Sequence, residues 1–155
     1  MNGLIDALFD LTQAVRYVAI YSHGELSLRQ RPELSRASAP ESDRYEELLV
    51  NPTILTLTRQ RGEIDCGGLD YVVVRYGNFF QFVVPIESGH ASVAFEPDAD
   101  PIGHAQEVLG TINRHSRSLM NFGKLFLHDV RESGHKEGLE PRRVPPLPPL
   151  VPLDD

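Results

Sequence analysis

The chain has 155 residues, 41% of them apolar and 24% charged, which suits one soluble domain with a core of its own. Its formal charge of −7 argues against a protein that grips a nucleic-acid backbone, because such a surface is basic. The single cysteine excludes an intrachain disulfide, so nothing points to an oxidising compartment.

The first ten residues, MNGLIDALFD, lack a basic region and carry Asp6 and Asp10, unlike a secretory signal. No apolar run approaches the roughly 20 residues of a membrane helix. A cytoplasmic protein without membrane insertion is expected. Leu4, Ile5, Leu8 and Leu11 recur at helical spacing and predict a short helix over about 4–13. VRYVAIYS then reads as a strand, HGEL as a turn around Gly24, and LSLRQR as the return strand of a hairpin. Residues 31–42 are loop-like, and Ser42 or Asp43 is expected to cap a helix carrying Tyr45, Leu48 and Leu49. Asn51-Pro52 starts a second helix or a kinked continuation, ending at Gly62 in a left-handed turn.

LDYVVVRYG, FFQFVVPIE and HASVAFE follow as three strands, separated by Gly77-Asn78 and Ser88-Gly89, and predict an antiparallel meander. The unbroken run Val72–Val74 suggests that both faces of that strand are covered and marks it as the sheet centre. Asp98 or Asp100 is expected to cap a helix from Pro101, with Ala105, Val108, Leu109 and Ile112 on one face. The helical pattern resumes beyond His115 in Leu119, Phe122, Phe126 and Val130, as one helix or two. PRRVPPLPPLVPL, residues 141–153, is expected to be extended, mostly polyproline II. The fold class is therefore α+β: a five-stranded antiparallel sheet in the order helix-β-β-helix-β-β-β-helix.

This order, with VRYVAIYSHGELSL as first hairpin, a helix ending in TRQRGEID, and the meander running into PDADPIGHAQEVL, resembles the Roadblock family. That family comprises the dynein-light-chain and MglB-like modules of the profilin/longin-type fold. The resemblance spans roughly residues 3–115. It divides the chain into a module over 1–115, a helical extension over 116–134 and a proline-rich tail over 135–155. It implies a non-enzymatic homodimer or heterodimer that regulates or scaffolds a small Ras-like GTPase, or a motor or trafficking assembly. In such modules the third strand and second helix meet their counterparts. Transferred here, the dimer interface comprises Tyr45, Leu48, Leu49, Leu55, Leu69, Tyr71 and Val73. Pro52 inside the second helix departs from the pattern and puts the shape of that face in question.

Chemistry is sparse. Cys66 follows Asp65 and precedes a strand, so its near sequence offers no cation or helix N-terminus to lower a thiol pKa. A small buried residue at a strand entrance fits better than a nucleophile, and Gly67-Gly68 then form the bend between helix and strand. Neither a P-loop nor a GxGxxG occurs, so no nucleotide or other cofactor is expected. The six histidines form no compact zinc motif. His23 and His90 both fall at hairpin turns, where solvated side chains are expected.

RRVPPLPPL contains Arg142, Arg143, Pro145, Pro146, Pro148 and Pro149, matching an RxxPxxP ligand for aromatic grooves. Together with Leu119, Phe122, Phe126 and Val130 it forms a candidate partner-binding set. The alternatives to the dimeric module are an adaptor acting through this proline-rich tail and, more remotely, a cysteine-dependent hydrolase.

Overall fold

The structure, a computed structural model, describes the backbone of residues 2–127 and the side chains of residues 3–116. Five antiparallel strands form one sheet: β1 (Val15–Ser22), β2 (Glu25–Gln30), β3 (Val72–Arg75), β4 (Phe80–Ile86) and β5 (Gly89–Phe95). They lie in the order β2-β1-β5-β4-β3. The last strand inserts beside the first, with Val18 opposite Val93 and Ile20 opposite Ala91. The centre is therefore β1–β5–β4, and the valine run of β3 is an edge. That corrects the expectation that β3 is central. An unbroken apolar run reports that side chains find cover on both faces, not where the strand stands in the sheet. Here the cover is partial: Val72, Val73 and Val74 are each half-buried, and β3 pairs only with β4.

Period-two alternation then sorts the two faces. Val18, Ile20, Phe82, Val84, Ala91, Val93 and Phe95 join Ile5, Leu8 and Phe9 of α1 (Asn2–Phe9) and Ala105, Val108 and Ile112 of α4 (Ala105–Leu127) in the apolar core. The helix begins later than Pro101, because residues 101–104 form turns. Asp100 Oδ1 accepts the Gly103 N–H at 2.9 Å, so Asp100 closes that turn in place of capping a helix. From Ala105 the chain is one helix through His115 to Leu127.

The opposite face carries a bent helix built from α2 (Pro40–Tyr45), a π-helical turn (Glu46–Val50) and α3 (Asn51–Asp65). Ser42 and Asp43 lie inside it instead of capping it. Ala39 is the cap residue without a side-chain bond, and Pro40 supplies the fixed φ of the first turn. The π turn has a local cause: Pro52 lacks an N–H for Leu48 and its ring would crowd that carbonyl in a regular helix. Widening the preceding turn relieves this, and the Asn51 N–H bonds back five residues to Glu46.

Gly62 does not close the helix, which runs three residues further to Asp65. Its role is close approach: a Cβ there would stand 2.7 Å from the Gly68 carbonyl oxygen. The reversal belongs to Gly67 (φ 79°) and Gly68 (φ 100°), and the Gly68 N–H bonds the Gly62 carbonyl at 3.1 Å. Cys66 is the residue following the last turn and is exposed, not buried as expected, because the bend turns it outward.

Candidate protein-interaction surface

The outer side of the bent helix is apolar and open. Tyr45 is 60% exposed, Leu57 64% and Ile64 75%, with Leu48 and Leu49 also exposed. Tyr45, Leu48 and Leu49 fall at i, i+3 and i+4 and form one patch, which Leu57 and Ile64 extend along the helix. The Tyr76 hydroxyl donates to Glu46 at 3.0 Å, tying the patch end of the helix to the residue that follows β3. The outer flank of β3 has no neighbour among the described residues. Of the other interface residues expected from sequence, Leu69, Tyr71 and Val73 are half-buried. Tyr71 and Val73 pack on the core. Leu55 lies on the inner side of α3, 5% exposed.

Beneath the patch, the helix is held by one carboxylate. Glu47 is 0% exposed. Its Oε1 accepts from the Tyr17 hydroxyl at 3.1 Å, Gln81 Nε2 at 3.1 Å and the Ser92 hydroxyl at 2.5 Å. Its Oε2 accepts from His90 Nε2 at 2.7 Å and Asn51 Nδ2 at 3.1 Å. Every partner except Asn51 stands on the helix-facing side of β1, β4 or β5, the side opposite Val18, Phe82 and Val93. Burial, and then the charge of Glu47, holds the Tyr17 phenol far above its ordinary pKa. His90 is thus a buried strand residue rather than a solvated turn histidine. The two hairpins share one end of the sheet, where the Ser22 and Ser88 hydroxyls bond at 2.6 Å, and of the two histidines only His23 is exposed.

Ser92, His90 and Glu47 are the residue types of a nucleophilic triad in the wrong order. In a triad the imidazole faces the hydroxyl with the carboxylate behind it. Here serine and histidine both bond to the carboxylate, and all three are sealed from solvent, so the cluster positions the helix. Cys66 donates to Asp65 at 3.3 Å. Among the described residues no set of three His, Cys, Asp or Glu side chains is placed to hold a metal.

A cavity of about 240 Å³ opens beside Glu47, between the helix and the sheet. Arg16 and Tyr17 both line it, although neighbours in a strand normally face opposite ways. A β-bulge between Val15 and Tyr17 explains this. The Arg16 guanidinium is occupied by Glu96 at 3.2 Å and by the carbonyls of Asn78, Ser35 and Arg36. Asp43, Glu46 and Tyr76 complete the polar wall. Burial holds the carboxyls of Asp43 and Glu46 above the usual carboxylate range. It also pushes the Tyr76 phenol up to about 12, with the Glu46 carboxylate adding to the effect.

The side chains of Leu119, Phe122 and Phe126 lie outside the described residues, as do Val130, Arg142, Arg143, Pro145, Pro146, Pro148 and Pro149. The Glu47 network went unread in the sequence. Its signal was polar residues at period two, Gln81 in β4 and His90 and Ser92 in β5, on the face opposite the apolar core. Such a face needs a polar partner from the covering helix.

No protein-family profile matches the sequence, and no curated protein does. Among solved structures, the chain is similar to a Roadblock/LC7 domain from Streptomyces avermitilis, with a TM-score of 0.60 and 18% identity. The match covers 77% of this chain and 98% of that one. It is also similar to the gliding protein MglB from Thermus thermophilus, with a TM-score of 0.54, 11% identity and 73% and 87% of the two chains covered. No helix among the described residues is long and apolar enough to cross a membrane. The order of elements, the insertion of β5 beside β1 and these two likenesses agree: the chain has the fold of a Roadblock/LC7 domain.

Proposed function

We infer that the chain is a non-catalytic interaction module that dimerises through the outer helix face and the β3 edge. The dimer regulates or scaffolds a protein partner, of which a small Ras-like GTPase is the first to test. One observation carries the reading: Tyr45, Leu48, Leu49, Leu57 and Ile64 are exposed on a helix that Glu46 ties to Tyr76, the residue after an open edge strand with half-buried valines. Contiguous apolar surface of this kind marks a protein-binding site, and an unpaired edge offers ladder hydrogen bonds to a second strand. The likeness to a Roadblock/LC7 domain and to MglB supports it. Light scattering tests it, with wild type giving the mass of a dimer at tens of micromolar and Leu49→Glu that of a monomer of unchanged circular dichroism. A strict monomer for wild type at high micromolar concentration would remove the dimer. Capture of GTP-loaded GTPases from cytosol then tests the partner class, and retention of none of them would redirect the search.

A further inference from the structure

We propose that the cavity beside Glu47 is an arginine socket for the chain's own C-terminal segment, taking the side chain of Arg142 or Arg143. At about 240 Å³ the cavity is below the roughly 300–1,000 Å³ of small-molecule pockets and suits one long side chain. Its wall presents Asp43 and Glu46, which form no ion pair among the described residues. Asp43 accepts from Gln30, and Glu46 from the Tyr76 hydroxyl. The lining cation, Arg16, is already held by Glu96 and three carbonyls, and Arg36 reaches the rim only at Asn78 Oδ1, 3.4 Å away. Two half-buried carboxylates therefore line a space whose one lining cation, Arg16, is paired elsewhere, beside the aromatic wall of Tyr76 and Phe79. A planar guanidinium satisfies both demands, forking onto carboxylates while stacking on a ring.

The occupant is argued from charge and reach. Arg142 is fifteen residue steps beyond Leu127, the last residue described. At up to about 3.3 Å each they span about 50 Å, against about 35 Å across a domain of this size. Tethering raises the effective concentration of that arginine to the millimolar range. The inference stands whether or not the outer helix face dimerises.

Nuclear magnetic resonance on the full chain tests it through the guanidinium Nε–H signals of Arg142 and Arg143, assigned with Arg142→Lys and Arg143→Lys. The expected result is that one of them exchanges with solvent at least about tenfold more slowly than in a free peptide of residues 139–155, a factor worth about 1.4 kcal/mol. The double variant Asp43→Asn/Glu46→Gln should return that signal to the peptide value while the sheet amides stay in place. Replacing both arginines with Gln should shift the ring signals of Tyr76, a readout that leaves the socket intact. Peptide-like arginine signals in the full chain, or protection that survives the double variant, would overturn the socket. Protection that disappears on dilution would assign the arginine to a neighbouring copy and overturn the intramolecular reading.

Discussion

Replacing Glu47 with Ala leaves five donors without an acceptor, and the cost follows from where each one stands. An unsatisfied buried polar group costs about 1–3 kcal/mol. Tyr17 and Gln81 line the cavity of about 240 Å³, so water entering there can serve both. His90, Ser92 and Asn51 remain, at 1%, 0% and 0% exposure. Three such groups come to about 3–9 kcal/mol, and local relaxation places the loss in the lower part of that span, the roughly 3–5 kcal/mol measured when one partner of a buried ion pair is removed. Against a total stability of about 5–15 kcal/mol this is a large fraction. At a typical urea slope it moves the unfolding midpoint down by about 2 M. Glu47→Gln should cost only about 1–2 kcal/mol, because the amide oxygen can keep Tyr17, Gln81 and Ser92. Its NH2 group then faces Asn51 and His90. The Asn51 amide can flip to present Oδ1, which has no partner now, and His90 can accept in its other tautomer. Urea titrations followed by circular dichroism decide it. A Glu47→Ala loss below about 1 kcal/mol, or an equal loss for Gln and Ala, would refute the reasoning.

Three further outcomes are expected. Gly62→Ala should destabilise the fold by about 1–3 kcal/mol, although Ala is the better helix former by about 1 kcal/mol, because its Cβ meets backbone at 2.7 Å; a rise in melting temperature would disprove the contact. A carboxyl with a raised pKa binds its proton more tightly folded than unfolded, so stability grows as pH falls through the folded value. In a chain whose Arg142 and Arg143 are replaced by Gln, Glu46→Gln should therefore add under about 1 kcal/mol at neutral pH. It should add nothing once both states are protonated, and thermal melts showing a loss at neutral pH would contradict the burial argument. Leu57→Glu, 64% exposed, should leave the melting temperature within error while weakening self-association in light scattering; unchanged association would confine the interface to Tyr45, Leu48 and Leu49.

The sequence announced what depends on local pattern. β1 and β2 were legible from VRYVAIYS, a glycine turn and the alternation that follows, and Pro52 announced a break in the helix. What it could not show was which strand stands at the centre. That depends on β5 inserting between β1 and β4, a pairing between segments some 70 residues apart that periodicity does not record. Asp100 and Ser42 have the chemistry of caps, but the prolines at 40 and 101 allowed more than one start, and backbone geometry chose. Gly62 read as a stop because glycine commonly ends helices, whereas here it is needed for the absence of a side chain against Gly68. The family resemblance brought Tyr45, Leu48 and Leu49 to the interface and Leu55 with them, because it does not say which side of a bent helix is inward; Leu57 and Ile64 were not among the residues it transferred.

The π turn resolves that ambiguity and joins the two faces of the helix. An extra residue in one turn rotates everything after it by about 100° relative to a regular helix. Glu47 precedes most of that rotation and points into the sheet; Leu55 follows it and also points into the sheet. Eight residues are a little over two regular turns and would leave the two out of phase by about 80°. The widened turn reduces that difference, so a polar anchor at one end and an apolar anchor at the other hold the same face down. Tyr45, Leu48 and Leu49 are consequently turned outward together with Leu57 and Ile64. Pro52, which departs from the expected helix, thus aligns the apolar patch instead of breaking it, and the buried carboxylate fixes the register in which that patch is shown.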